Sequence, residues 1–325
     1  MKKNTPTSSA SDRRLSHALR LGVAVLVVGA LAFAGIYYKD QHVNAGPTMT
    51  ERQIAGAEAA VKKTPNDIQS RLQLAAAYLQ DKRPDDALAQ YDEILKADKG
   101  NRTVMLGRGR ILIAKGDLDG AAASYHKIVD VAAKGEFAGA DPVAQEAYYY
   151  LGSILVKQGK NKEAITQLKG ALKIDPTDSD ALYLTGVAEL KQGAPKLAVT
   201  SLKRALLFVP TGWCEPYSQL AVAYGKLAQA PQKTYAAGMA SFCLKKPAEA
   251  KTQLKTLITG PVKVEALLGL GQIAESESDN AEAVSRYKQV LTFDKTNATA
   301  TSALSRLGTE STPGPKSSST TQGPS

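Results

Sequence analysis

Apolar and small residues recur at helical spacing through the middle of the chain, in paired stripes separated by short polar breaks. In residues 148–176 the first stripe ends before the polar segment 157–161, and the second ends before Asp175 and Pro176. The two stripes contain Tyr148, Leu151 and Leu155, and then Ala164, Ile165, Leu168, Ala171 and Leu172. Because a residue before proline disfavours helical geometry, this pattern predicts a helix, a turn and a second helix.

A small residue is followed twelve positions later by alanine at five places along the chain. These pairs are Ala75/Ala87, Gly109/Ala121, Gly152/Ala164, Gly186/Ala198 and Gly271/Ala283. The step between pairs is 34 residues twice, and a step of 43 residues before Gly152 places an insertion near residues 131–143. A larger side chain at these positions would hold two helices apart, because close-packed interiors tolerate little extra volume. The period therefore predicts a stack of helix pairs.

In this register the units resemble tetratricopeptide (TPR) repeats, which are helix pairs of about 34 residues. The third and fourth units carry the resemblance most fully, through Tyr148, Leu151, Gly152, Leu155, Ala164, Leu168, Ala171 and Pro176, and through Leu182, Gly186, Ala198, Leu202, Ala205 and Pro210. The resemblance covers roughly residues 50–308. It implies an all-α fold, a TPR-type α-solenoid in which about six helix-turn-helix repeats form a right-handed superhelix.

Residues 214–260 form an irregular segment that departs from this register. Lys233 stands where alanine is expected after Ala221, while Gly238 and Ala250 form a rival pair with the same spacing. We expect three helices here, near residues 214–228, 231–246 and 248–259. The sequence leaves open how these three helices pair with one another.

Both ends of the repeat region look like half-units. At the start, Thr50 and Gln53 predict a capping box for the first helix. At the end, residues 297–308 have an asparagine cap and a terminal glycine, which is typical of a closing helix. Residues 309–325 are rich in Ser, Thr, Pro and Gly and bury too little apolar surface to fold, so we predict a disordered tail.

Residues 21–38 are an uncharged apolar run that follows a basic segment, residues 1–20. As a helix the run is about 27 Å long, close to the roughly 30 Å hydrocarbon core of a membrane. Basic flanks stay in the cytoplasm, so a transmembrane helix here predicts a single-pass protein with a cytoplasmic N-terminus and an extracytoplasmic repeat domain after a linker at residues 39–49. The alternative is a secretory signal peptide, because small-x-small cleavage sites occur at residues 30–32 and 32–34.

The chain offers little material for catalytic chemistry. Its three histidines, His17, His42 and His126, lie far apart, and no nucleophile elbow, zinc-protease motif or Walker loop occurs. We therefore predict no enzymatic activity, no cofactor and no metal site. The formal charge of +10 permits anionic partners such as acidic lipids, cell-wall polymers or acidic proteins. Without a dense Lys/Arg run after residue 20, the same charge also fits an ordinary solvated surface.

The two cysteines are expected at the ends of neighbouring helices. Cys214 would begin one helix and Cys243 would lie near the end of the next, and in an antiparallel pair those ends are adjacent. An outward-facing domain would permit a disulfide that closes a loop of about 30 residues. Two buried free thiols that pack as small apolar residues are the other interpretation, and both stay open.

The resemblance to TPR repeats implies that the first helix of each pair lines a concave groove. The groove positions expected from it are Leu72, Ala76, Leu106, Arg110, Tyr149, Ser153, Lys157, Tyr183 and Val187. This lining is apolar and aromatic with few basic groups, which suits an extended or helical peptide with tyrosine anchors, although some of these residues would only pack between helices. Only Arg110 and Lys157 are basic, so we do not expect a carboxylate clamp.

These patterns favour a membrane-anchored scaffold that binds a protein or peptide segment during assembly of an envelope or membrane complex, with no nucleic-acid partner. The alternative is a secreted or periplasmic soluble chaperone that is released after cleavage of a signal peptide. An enzyme with an unrecognised site would need a cluster of polar groups in one pocket.

Overall fold

The computed structural model describes residues 23, 25–39, 47–135, 141–209 and 212–310, and those residues form helices without a strand. The chain divides into two compact units, Met1–Lys99 and Gly100–Ser325, which are described separately. Several predicted features lie outside the described residues: the basic segment 1–20, most of the linker, the centre of the insertion at 136–140, Pro210, and the tail from residue 311.

The first unit contains a helical segment at residues 25–39 and three helices, α1 (Met49–Lys63), α2 (Ile68–Gln80) and α3 (Pro84–Ala97). The apolar side chains of the helical segment are exposed, with Leu26 and Phe33 among the most accessible. Within the described parts of the chain, which omit residues 21, 22 and 24, no helix combines the length and apolar character needed to cross a membrane.

Helix α1 begins about half a turn earlier than the sequence suggested, with its N-cap at Thr48 instead of Thr50. The Thr48 hydroxyl accepts a hydrogen bond from the Glu51 backbone N–H at 3.2 Å, and the Glu51 carboxylate accepts one from the Thr48 N–H at 2.6 Å. The predicted capping box at Thr50 and Gln53 is therefore wrong, and Thr50 lies inside the helix. Both residue pairs have the required spacing, but a carboxylate also interacts favourably with the positive end of the helix dipole.

Helices α2 and α3 form the first helix pair. Ala75 and Ala87 are both completely buried where the two helices meet. One turn further along α2, the Tyr78 hydroxyl donates a hydrogen bond to the Glu58 carboxylate of α1 at 2.8 Å. Helix α1 therefore packs against α2, where a half-unit at the start of the repeats is expected.

The second unit is a succession of twelve helices within the described residues, and each packs against the next along the chain. They are α4 (Arg102–Lys115), α5 (Leu118–Ala132), α6 (Pro142–Lys157), α7 (Asn161–Ile174), α8 (Ser179–Lys191), α9 (Pro195–Phe208), α10 (Glu215–Lys226), α11 (Ala230–Cys243), α12 (Pro247–Lys255), α13 (Lys263–Ser276), α14 (Asn280–Phe293) and α15 (Ala298–Glu310).

The small residues lie at helix crossings, as the sequence predicts. A Cβ atom added to Gly152 would lie 2.6 Å from Cγ of Leu168, and one added to Gly186 would lie 2.7 Å from Cγ of Leu202. The alanines that follow twelve positions later are completely buried. Because such close approaches leave no room for a side chain, these two glycines allow α6 to pack on α7 and α8 to pack on α9.

The irregular segment consists of α10, α11 and α12, and α11 packs against both of its neighbours. Ala236 of α11 is buried in a core with Leu220 of α10. Met239 of α11 is buried in a different core with Ala250 and Leu254 of α12. Helix α11 is therefore the second helix of one pair and the first helix of the next.

This double role changes which helices lie side by side. The first helices α4, α6, α8 and α10 contact one another in succession, and beyond α10 the equivalent contact is between α11 and α13. The row of first helices thus passes from even-numbered to odd-numbered helices at the α10–α11 pair. The sequence could not assign the pairing in this segment because α11 belongs to two pairs.

Candidate functional site

A disulfide joins the two helices at which the row of first helices changes. Cys214 is the N-cap residue of α10 and Cys243 is the last residue of α11, and their Cα atoms are 5.3 Å apart. Because α10 and α11 are antiparallel neighbours, the bond connects the start of one to the end of the other. It fixes the helix pair on which the change of register depends.

The largest described cavity opens beside this disulfide and has a volume of about 740 Å³. Helices α11 and α13 contribute matching positions to its wall. Met239 directly follows Gly238 in α11, and Gln272 directly follows Gly271 in α13. Phe242 and Glu275 each lie three residues further along the same helices. The remaining lining residues are Gly212, Tyr217, Cys243, Tyr287, Ala298, Thr299, Ser302, Ala303 and Arg306. Two helices that act as first helices, α11 and α13, therefore supply part of the cavity wall.

The polar wall of this cavity is held by a network around Glu275. One carboxylate oxygen accepts a hydrogen bond from the Tyr287 hydroxyl at 2.5 Å, and the other lies 2.6 Å from Nη1 of Arg306. Burial and then the bond to Glu275 raise the pKa of Tyr287, so its hydroxyl stays protonated and acts as a donor at neutral pH. The Glu275 charge is balanced by Arg306, which leaves Met239 and Phe242 as an apolar floor beside a neutral polar wall.

A second cavity of about 530 Å³ uses the earlier turns of the same helices. Gln232 and Tyr235 of α11 and Glu265 of α13 line it, together with Tyr224 of α10 and with Lys203 and Leu207 of α9. Tyr217 of α10 lines both cavities. Burial raises the pKa of Tyr235, so it too remains a neutral aromatic side chain with a hydroxyl. Four residues that recur at helical spacing along α11 therefore line these two cavities: Gln232, Tyr235, Met239 and Phe242.

The structure distributes the sequence-predicted groove residues over both units. In the first unit, Leu72 is half-buried and Ala76 is exposed on α2. In the second unit, Leu106 is buried, and Arg110 and Lys157 are exposed. The half-buried residues are Tyr149, Ser153, Tyr183 and Val187.

Of these predicted residues, Tyr149 lines a described cavity. The cavity is small, about 200 Å³, and Gln145, Glu146, Tyr150, Asp178 and Asp180 complete its lining. Burial, with smaller contributions from Asp180 and Asp178, raises the pKa of Tyr149 to about 12. The structure therefore places Tyr149, with a neutral hydroxyl, in the wall of a small recess that contains three carboxylates.

Arg110 and Tyr183 are engaged by other side chains of the protein. The Arg110 guanidinium forms an ion pair with Glu146, which belongs to the recess that contains Tyr149. The Tyr183 ring lies 5.2 Å from the Trp213 ring, centroid to centroid. Leu106, 6% exposed, has little surface to offer a ligand. The structure thus pairs Arg110 with a residue of the recess that contains Tyr149, and it places Tyr183 against the chain that leads into α10.

The sequence analysis missed the residues of the largest cavity, although a signal was present. Gly238/Ala250 and Gly271/Ala283 have the same spacing as Gly152/Ala164. Counting from these two glycines as from Gly152 places Met239, Phe242, Gln272 and Glu275 on the first-helix face. The contribution of α15 could not be found in this way, because that helix has no crossing pair of its own.

Two family models match parts of the chain: "Tetratricopeptide repeat" matches residues 72–136, and "TPR repeat" matches residues 152–193. The crystal structure of YrrB, described as a TPR protein with an unusual peptide-binding site, is 20% identical and has a TM-score of 0.50, covering 62% of this chain and 98% of YrrB. Comparison with curated proteins gives no match.

Two further solved structures resemble the chain less closely by TM-score. The C-terminal part of a TPR repeat-containing protein from Cytophaga hutchinsonii is 20% identical, with 84% of this chain and 98% of that chain covered and a TM-score of 0.49. The MamA protein is 21% identical, with 58% and 92% covered and a TM-score of 0.46. The family models, together with the similarity to YrrB, show that the chain contains TPR repeats in an all-α helical fold.

Proposed function

We propose that this TPR protein is a scaffold that binds a protein or peptide segment in the cavity beside the Cys214–Cys243 bond. The observation that supports the proposal is a cavity of about 740 Å³ on the first-helix face, with Met239 and Phe242 as its floor. Ligand sites are commonly of this size, mainly apolar, with a few polar groups that set orientation. The unbranched Met239 side chain can adapt to differently shaped partners.

The wall chemistry indicates which kind of segment would fit. Phe242 and Met239 offer apolar contact, so an apolar or aromatic side chain of the partner would gain most from entering the cavity. The amide of Gln272 can donate and accept hydrogen bonds, which matches the alternating groups of a peptide backbone. Because Arg306 and Tyr287 already satisfy Glu275, this wall does not call for a charged partner side chain. The peptide-binding site named for YrrB supports the same class of ligand.

A binding role also agrees better with the cavity than a catalytic one. Catalysis by a carboxylate or tyrosine would require a group that is free to exchange a proton with substrate. Here Glu275 is engaged by both Tyr287 and Arg306, and burial and the bond to Glu275 keep Tyr287 protonated. We therefore propose recognition rather than reaction.

For the location of the protein, we propose that residues 21–38 anchor it in a membrane with the repeats outside the cytoplasm. Residues 25–39 are helical with exposed apolar side chains. A disulfide between Cys214 and Cys243 is more typical of an oxidising, extracytoplasmic compartment than of the cytosol. The proposed role is to hold a partner at the membrane during assembly of an envelope complex. Cleavage to a soluble periplasmic or secreted chaperone is the alternative, and it uses the same cavity.

Binding can be tested with a displayed library of random peptides selected on the purified full-length protein. We expect selected peptides to share an apolar or aromatic residue, and Phe242→Ala to weaken their binding by about tenfold or more, as loss of a buried aromatic anchor does. Ser302→Trp, which would fill the cavity from an exposed position, should act in the same direction. Phe293→Ala removes an exposed ring far along α14 and serves as the matched control. Equal binding by all four proteins would contradict the proposed site.

The anchor has a separate test. Arginine at Val27 should cost about 2.5–3.5 kcal/mol of insertion free energy, so Val27→Arg should release the protein from washed membranes. Val222→Arg places the same charge at an exposed position of α10 and should leave membrane retention unchanged. Retention of the Val27→Arg protein would count against the anchor. A native N-terminus at Gly35 would establish the cleaved form instead.

A further inference from the structure

The outer faces of α7 and α9 carry cationic side chains at matching positions of two consecutive repeats. Each helix contributes four exposed residues, spaced so that they form one stripe: Lys162, Thr166, Lys169 and Lys173 on α7, and Lys196, Thr200, Lys203 and Leu207 on α9. On each helix the stripe lies opposite the completely buried residues that face the first helices. We call these two stripes, with the adjacent Arg204, Leu197 and Phe208, the basic outer face.

The two stripes belong to one continuous surface. The crossing contacts Gly152–Leu168 and Gly186–Leu202 are nearly identical, so α7 and α9 present the same side to solvent. In addition, a guanidinium nitrogen of Arg204 on α9 donates a hydrogen bond to the carbonyl of Pro176, just after α7, at 3.0 Å. This contact links the side of α9 directly to the end of α7.

The charge of the basic outer face is unbalanced. It has six cations, and none of its five lysines forms an ion pair with any described residue. Both helices lie within the described residues, and Glu163 is the one exposed carboxylate on them. Glu189 of the intervening helix α8 interacts with Lys169, but its side chain is buried. An anionic surface would therefore supply counter-charges that the protein itself does not.

This charge is a local property and does not follow from the repeat. The equivalent stripe of α5 contains Asp119, Ala123, His126 and Asp130, and that of α14 contains Ala281, Ser285, Lys288 and Thr292. The basic stripes thus occur on α7 and α9, while the neighbouring second helix α5 has acidic residues at the same positions.

Large apolar side chains lie exposed beside the cations. Leu197 is 58% exposed, Leu207 is 72% exposed and Phe208 is 42% exposed, all on α9. Leu207 and Lys203 also line the cavity of about 530 Å³, so the basic outer face continues into that cavity. Surfaces that lie on membranes combine Lys and Arg with Leu and Phe in this way, because the cations meet lipid phosphates while the apolar groups enter the acyl boundary. A purely polar anionic polymer would satisfy the cations but leave these three side chains in water.

We propose that the basic outer face docks on the surface of an anionic phospholipid bilayer. The lysines of α7 and α9 attract the headgroups within a screening distance of about 8–10 Å, and Leu207 and Phe208 enter the interface. This docking is independent of the N-terminal run and of peptide binding. It would hold the second unit against the membrane by the backs of α7 and α9.

The test uses a benzophenone amino acid in the full-length protein, at Thr200 on the basic outer face or at Thr252, the matching position of α12. Both residues lie two positions after a buried alanine and are exposed. The proteins are illuminated with phosphatidylcholine vesicles that contain or lack phosphatidylglycerol. We expect lipid cross-linking at Thr200 at least about tenfold above that at Thr252, only with the anionic vesicles, and lost at high salt. Equal cross-linking at both positions would overturn the proposal.

Charge reversal shows whether the lysines are responsible. The combined K162E, K169E, K196E and K203E substitutions should abolish cross-linking at Thr200. The matched control, K226E, K255E, K288E and K295E, changes the same number of exposed lysines in the same unit and should retain it. Unchanged circular dichroism confirms folding of both proteins, and equal cross-linking by the two would contradict the proposal.

The apolar residues separate a bilayer from an anionic polymer. Leu207→Ser with Phe208→Ser should reduce lipid cross-linking at Thr200 severalfold while leaving binding to polyphosphate unchanged. If cross-linking at Thr200 is also unchanged, contacts with the charge alone account for it and the bilayer proposal fails. An anchor formed by residues 21–38 would retain the protein on membranes in every variant, so loss of cross-linking here does not bear on the proposed anchor.

Discussion

Helices α7 and α11 both pack behind a first helix, yet they bury different amounts of their surface. Helix α7 buries one narrow stripe, Ala164, Leu168 and Ala171. Helix α11 buries Ala236 in a core shared with α10 and Met239 in a second core shared with α12, because both of these helices pack against it. A second helix with one buried stripe keeps the repeat in register, whereas a helix with two buried sides allows the register to change. The largest cavity lies beside the helix that makes this change.

The first way to break this comparison is to remove the disulfide, which exists in the irregular region alone among the described residues. Its cysteines are 29 positions apart, and replacing both by serine should lower the free energy of unfolding by about 2–4 kcal/mol. Chemical denaturation with and without reductant measures this loss. Hydrogen exchange should show faster opening of α10 and α11 than of α6 and α7.

The control for this prediction is the double serine variant itself, which should not respond to reductant. Alkylation of the unreduced, denatured wild-type protein tests whether the disulfide exists. Two labelled thiols would show that Cys214 and Cys243 are free. Equal exchange in both regions after reduction would show that the bond does not stabilise the irregular pair.

The second prediction concerns the regular crossing. Gly152→Leu would place a Cβ atom 2.6 Å from Leu168 and should lower the free energy of unfolding by about 1–3 kcal/mol through overpacking. At Gly225 in α10 the nearest atom to an added Cβ is Cδ of Lys233, at 3.7 Å. Leucine there should leave stability unchanged or raise it by up to about 1 kcal/mol, because glycine is unfavourable within a helix. Thermal melting of the two variants checks the difference. Equal melting temperatures would contradict the assigned crossings.

The regular repeats could be predicted from sequence because their signal is local. Gly152, Ala164 and Leu168 meet within one helix pair, so their spacing alone fixes how the pair packs. The role of α11 could not be predicted in this way. Lys233 breaks the expected pattern and Gly238 restores it in a new register, and only contacts with both α10 and α12 show that one helix satisfies both. The prediction of the capping box also failed because two choices fit the sequence. Thr48 is followed three residues later by Glu51, and Thr50 is followed three residues later by Gln53.

The candidate site was predictable in kind but not in place. The TPR resemblance gave a ligand-binding face on the first helices, and two helices that act as first helices, α11 and α13, contribute residues to the cavity of about 740 Å³. Its position depends on Tyr217, Met239 and Arg306, which come from three helices that no sequence spacing relates. Likewise, the pairing of Arg110 with Glu146 depends on how α4 lies beside α6, and the residue pattern of neither helix contains that information.

The smallest predicted effect sharpens the comparison through a buried carboxylate. Glu189 of α8 accepts a hydrogen bond from Ser201 at 2.8 Å, and burial raises its pKa above the ordinary value of 4.5. Because the folded-state pKa is the higher one, the charged form costs stability at neutral pH, and the cost disappears as the pH falls below the ordinary value. Glu189→Gln keeps an acceptor for Ser201 and should raise the free energy of unfolding at neutral pH by on the order of 1 kcal/mol, a gain lost near about pH 4. Between α11 and α12 the serine lies on the first helix and the carboxylate on the second: Ser241 donates a hydrogen bond to the exposed Glu249. Because Glu249 is exposed, Glu249→Gln should change the free energy of unfolding little at neutral pH. Denaturant unfolding at both pH values measures the two variants, and a Glu189→Gln protein that is less stable at neutral pH would show that its charge is needed.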